Sequence, residues 1–172
     1  MPFSTFAFRA CGYLVAAVAL VACHTPQPTP AKPVAPAAGS TGSIPPLNPQ
    51  ARFQRPAAGI IIERFNGKTN KGIDFAGQRG DPVVASAEGR VVIVSSALRA
   101  MGTMVIVKHD DTFLTAYAHL DRSLVKEDDV VRRGQKIGEM GKSGTNRVKL
   151  HFELRKQGVA VNPEPYLRGR VR

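Results

Sequence analysis

Beyond Ala51 the chain breaks into short stretches rich in valine, isoleucine, threonine and aromatic residues, cut repeatedly by turn signals. Gly59 to Glu63, Gly72 to Ala76, Pro82 to Ser86, Arg90 to Val94, Met104 to Lys108, Phe113 to Ala118 and Leu150 to Arg155 each have strand composition. Asn66-Gly67, Glu88-Gly89 and Asp110-Asp111 mark turns between them. This spacing predicts an all-β fold, an antiparallel sandwich or barrel-like sheet. Only Ser96 to Arg99 reads as helix-like.

The segment before Ala51 cannot join that core. Arg9 is followed by an apolar run, Ala10 to Ala22, too short to span a bilayer comfortably, which ends in Leu20-Val21-Ala22-Cys23. Small residues ahead of a cysteine at the end of a secretory signal resemble the bacterial lipobox. The resemblance implies that residues 1–22 are a signal peptide and that Cys23 is lipidated; His24, in place of an aspartate, points to the outer membrane. From His24 to Gln50 the chain is proline, alanine, threonine and serine around one charge, Lys32. Residues 23–50 are therefore expected to be a disordered tether, reaching on the order of 80 Å when extended. The folded domain is expected over 51–172.

Charge and cysteine content narrow the partners. The chain carries 24 Lys and Arg against 13 Asp and Glu; without Arg9 and Lys32 the domain retains 22 of those cations and all 13 acids, a net +9. A field of that sign attracts acidic envelope polymers, lipid headgroups or an acidic protein. Export, and the lack of a recognition-helix or stacked-aromatic pattern, argue against nucleic acid. Removal of the signal would take Cys11 with it, so no cysteine pair is left for a disulfide.

Three polar motifs interrupt the strands: Asn70-Lys71-Gly72-Ile73-Asp74, Tyr117-Ala118-His119-Leu120 and Lys149-Leu150-His151-Phe152-Glu153. With Gly80-Asp81-Pro82-Val83-Val84-Ala85, Gly134-Gln135-Lys136-Ile137-Gly138, Gly141-Lys142-Ser143-Gly144-Thr145 and Asn162-Pro163-Glu164-Pro165-Tyr166-Leu167, they resemble the LytM and lysostaphin-type peptidoglycan metallopeptidases from about Phe53 to Leu167. The resemblance implies the LytM (duplicated hybrid motif) fold. It also implies a zinc held by two histidines and an aspartate, with an open position for the attacking water, and two flanking catalytic histidines.

Carried over position by position, Asp74 and His151 match two zinc ligands and His119 a flanking histidine. Asn70 stands in place of the first ligand histidine and Lys149 in place of the first histidine of the His-x-His pair. A carboxamide is a poorer zinc donor than imidazole. Strand alternation puts Lys149 on the same face as His151, where its ammonium meets the place of a dication; at ~4 Å and an effective dielectric near 20, each unit of like charge costs about 4 kcal/mol. The expectation is a degenerate site of Asn70, Asp74 and His151, with no bound metal, no cofactor and no catalytic residue, in which Lys149 pairs with Asp74. His109, Arg132-Arg133 and Arg168-Gly169-Arg170 read as structural or solvated residues, and Glu153, on the face of Lys149 and His151, as an ion-pair partner within the sheet.

Without the zinc set the chain looks like the murein hydrolase activators of the NlpD and EnvC type, and the lipobox with the Asn70 to Asp74 and Asn146 to Glu153 stretches resembles the NlpD branch. Where that branch carries a LysM module between anchor and domain, this chain has only the tether. The resemblance implies a non-catalytic activator of a periplasmic zinc N-acetylmuramoyl-L-alanine amidase, acting in cell separation from the periplasmic face of the outer membrane. Its partner groove would be Asn70, Asp74, His119, Lys149 and His151. The alternatives are an active zinc metalloendopeptidase and a passive peptidoglycan-binding tether.

Overall fold

The computed structural model describes residues 43–171; the expected signal peptide, Cys23 and most of the expected tether lie outside them. Ten strands follow one another: β1 (Ile61–Glu63), β2 (Ile73–Ala76), β3 (Pro82–Val84), β4 (Gly89–Ser95), β5 (Thr103–Lys108), β6 (Phe113–Ser123), β7 (Val130–Val131), β8 (Lys136–Met140), β9 (Lys149–Lys156) and β10 (Val159–Val161). One short helix, α1 (Glu164–Leu167), closes the domain. The strands form one antiparallel system in the order β1-β2-β9-β6-β5-β4-β7, with β10 on the edge of β9 and a β3-β8 pair attached to β6.

The fork in the sheet lies within β6. Its first half pairs with β5 on one side and β9 on the other, whereas Leu120 to Ser123 pair with β8. Between the halves, His119 has φ 63°, a left-handed conformation that bends an extended strand. The register shifts on both sides of that residue, and one strand thereby serves two parts of the sheet.

Period-two burial builds the core. On β9, Leu150, Phe152 and Leu154 are fully buried, and Ile73, Phe75, Tyr117, Val105 and Val107 meet them from neighbouring strands. Burying Tyr117 requires partners for its hydroxyl. It accepts the Ser86 amide at 2.8 Å and the Thr115 hydroxyl at 2.9 Å.

All seven runs of strand composition contain a strand, and the all-β expectation holds. The helix-like expectation at Ser96 to Arg99 does not. That segment is a loop turned by bonds from the Met101 and Gly102 amides to the Leu98 carbonyl, too short to nucleate a helix and pressed onto another loop at Gly102, where a Cβ would collide with Ser143. The helix forms instead after Asn162-Pro163, where the Asn162 side chain accepts the Glu164 amide at 3.1 Å. β7, β8 and β10 lie outside the seven runs: β7 and β10 are only two and three residues long, and pairing with a neighbour completes all three as strands. The last residues before the domain also make contacts: the Asn48 carbonyl accepts the Ala51 amide and the Arg133 guanidinium.

Glycine is required at position 72, where β2 meets β9: a Cβ there would overlap the Phe152 carbonyl. Gly72→Ala should lower unfolding free energy by about 2 kcal/mol, as forced overpacking does, read as a fall in denaturant midpoint at unchanged slope.

Candidate functional site

The register of three strands assembles the site. Asp74 on β2 lies opposite His151 on β9, and His151 opposite Ala118 on β6, next to His119. Lys149, His151 and Glu153 alternate onto one face of β9. Asn70 ends the loop before β2, where its amide bonds to the Asn66 side chain at 2.9 Å.

Asp74 is the centre of a closed ionic network. Its side chain is 2% exposed, and each oxygen has a cationic donor: Lys149 Nζ to Oδ2 and His151 Nδ1 to Oδ1, both at 2.6 Å. His151 donates its other nitrogen to Glu153 Oε1 at 3.3 Å, and Arg155 binds Glu153 Oε2 at 2.7 Å. Burial alone would push the Asp74 carboxyl up, yet the bonds from His151 and Lys149 hold it below the ordinary carboxylate range. Burial works against charge on His151 as well, but Asp74 and Glu153 outweigh it and raise its pKa to about 9. At neutral pH this ring is an imidazolium with both nitrogens donating.

His119 differs in every respect. Its backbone amide donates to the Met101 carbonyl at 2.9 Å and its Nδ1–H to the Ser143 carbonyl at 2.8 Å. Burial, assisted by the nearby Lys149 and His151 charges, pushes its pKa down against the opposing Ser143 bond. The ring is therefore neutral, with Nε2 as an acceptor, its centroid 6.1 Å from that of His151.

Asn70, Asp74, His119, Lys149 and His151 all line one cavity of about 340 Å³, so the structure brings the five sequence candidates together. Glu63, Thr69, Lys71, Ala100, Met101 and Glu153 complete its walls. Lys71 sits within a motif already singled out, and Glu153 on the face of His151; Ala100 and Met101 carry no signal of their own, since only the fold of the β4–β5 loop brings them there. The Asn70 side chain accepts the Gly72 amide at 3.0 Å through Oδ1, and its buried Nδ2 has no partner among the described residues. His109 lies elsewhere, bridging the Glu88 carbonyl and the Thr115 hydroxyl. Arg168 pairs with Glu164, and Cys23 falls outside the described residues.

Residues 68–163 match Peptidase family M23. Among curated relatives, the Lipoprotein NlpD/LppB homolog of Pseudomonas aeruginosa is 54% identical over 114 residues, covering 65% of this chain and 38% of that one. The Murein hydrolase activator NlpD of Escherichia coli is 47% identical over 121 residues, 69% of this chain and 32% of that one. The chain thus spans about a third of the length of these relatives. Among solved structures, a zinc containing peptidase from Vibrio cholerae superposes with a TM-score of 0.61 at 31% identity, covering 64% of this chain and 39% of that chain.

The network ties stability to pH. His151 has a folded pKa of about 9, above its ordinary 6.5. Its contribution is therefore full below pH 6.5 and is lost as pH rises through 9, on the order of 3 kcal/mol. Denaturation across that window should show the decline, and His151→Gln should flatten it.

Proposed function

Because the chain belongs to peptidase family M23, we propose that it keeps the family's groove and has exchanged its hydrolytic centre for a docking surface, making it a non-catalytic activator of peptidoglycan hydrolysis. The partner in this reading is a periplasmic zinc N-acetylmuramoyl-L-alanine amidase whose own regulatory segment seats on Asn70, Asp74, His119, Lys149 and His151. The lipobox and the relatives named as lipoproteins support a position in the cell envelope, anchored through Cys23 to the periplasmic face of the outer membrane.

The observation that carries the reading is the Lys149 ammonium 2.6 Å from Asp74. The donor set does not fit zinc. Both Asp74 oxygens are engaged, both His151 nitrogens carry protons directed at carboxylates, and Asn70 turns its oxygen to the Gly72 amide. A metal entering here would have to displace an ammonium, deprotonate His151 and recruit a weak amide donor, so no hydrolytic step is derived through it.

Activation sets an energetic demand. Moving a partner from about 1% to about 99% open takes about 5.5 kcal/mol of preference for the open form. A continuous groove with packed anchors supplies that; one ion pair does not.

The test mixes the full-length chain with each zinc amidase of the same cell and dye-labelled sacculi. Dye should be released only when both proteins are present, and chelator treatment of the chain alone should change nothing. Dye release by the chain alone, with bound zinc, would establish a metalloendopeptidase instead; sedimentation with sacculi without stimulation would establish a passive wall-binding module. In the converse experiment, Asn70→His combined with Lys149→His should restore zinc uptake to about one ion per chain by atomic emission, against none for the parent.

A further inference from the structure

The charges around the groove are sorted by depth. Asp74 and Glu153 have side chains only 2% and 6% exposed and are bonded to cations. Lys149 is 17% exposed, and Lys71 stands fully at the mouth. Lys149 uses one of its three N–H donors on Asp74. Lys71 makes no hydrogen bond or ion pair among the described residues, and Asn70 adds a buried, partnerless Nδ2 to the same lining. Glu63 is the one exposed acid of the wall and offsets Lys71; the cations Lys149, His151 and Arg155 face only the Asp74 and Glu153 carboxylates, so the groove has an excess of one positive charge. Beside these donors, His119 presents Nε2 as an acceptor with no partner among the described residues.

We infer that this pocket receives a single carboxylate from an acidic side chain of the protein partner, with Lys149 and Lys71 donating to it and His119 Nε2 accepting a main-chain N–H of the same segment. The assignment rests on the partner-binding reading above. A monoanion suits an excess of one charge better than a phosphate, which Glu63 would repel twice over. A protein segment suits the surroundings better than a wall peptide. Lys71 also borders a second cavity of about 300 Å³ along the β9–β10 hairpin, and the Val159 side chain there is 67% exposed. An acidic residue followed by an apolar one would engage both.

The experiment titrates the full-length chain with N-acetyl-L-glutamate N-methylamide and with the matching glutamine derivative, following the His119 imidazole and Lys149 ammonium resonances. The glutamate probe should give saturable shifts, with binding about tenfold weaker for the glutamine probe and about tenfold weaker in Lys149→Met, the value of one charge-assisted bond. Lys71→Gln leaves the Asp74 network intact and should weaken the glutamate probe as well, whereas Glu63→Gln should tighten it. Equal response to both probes, indifference to Lys71→Gln, or tighter binding of a soluble muropeptide than of the glutamate probe would overturn the assignment. Stimulation of an amidase without glutamate selectivity would sink this inference and leave the activator reading standing. Glutamate selectivity in a chain that stimulates no hydrolase would keep the carboxylate receptor and remove the activator reading.

Discussion

Asp74 is a carboxylate taken almost wholly out of water, and it has to be neutralised where it stands. That requirement organises the face of β9. His151 and Lys149 answer Asp74, Glu153 answers the second nitrogen of His151, and Arg155 answers Glu153, so three cations and one carboxylate on a single face of β9 close a network around the Asp74 carboxylate of β2. Removing one member leaves the next one buried and unpaired, which commonly costs more than the intact pair contributes. Antiparallel register is what permits the arrangement, because Asp74 and His151 are direct cross-strand partners and a slip of one residue would turn every one of these groups to the other side of the sheet.

The same network decides what fills the cavity. A structural neighbour is described as a zinc containing peptidase; in this chain an aspartate and a histidine face each other across β2 and β9. The positive charge beside them belongs to the chain itself. Lys149 and protonated His151 supply it covalently, as part of the chain, so the walls of the cavity are braced by side chains already present at folding.

Much of the fold was legible because it rests on local pattern. Leu150, Phe152 and Leu154 alternate with Lys149, His151 and Glu153, and that period alone separates core from site. Asn70 and Lys149 stood out because a family motif fixes what should occupy those positions. The rest was hidden for physical reasons. β7, β8 and β10 become strands by pairing with neighbours, and each is too short or too mixed in composition to announce that by itself. Ser96 to Arg99 read as helix because its residues tolerate one, while the contact between Gly102 and Ser143, which rules one out, is long-range. Ala100 and Met101 reach the cavity through that same loop and have no chemistry to announce themselves. The charge state of His151 needs two carboxylates in three dimensions, only one of which shares its strand.

His119 holds a backbone conformation that a bulky residue adopts only under constraint, and the constraints come from two loops. The 96–102 loop takes its amide through Met101, and the loop after β8 takes its ring through Ser143, whose hydroxyl also ties Leu120 and Thr103. Gly102 and Gly144 let these loops touch with no side chain between them. The imidazole is therefore mechanically geared to the seam between the loops: a wedge driven into that seam would release both restraints at once and let the backbone relax, swinging the ring away from the groove floor.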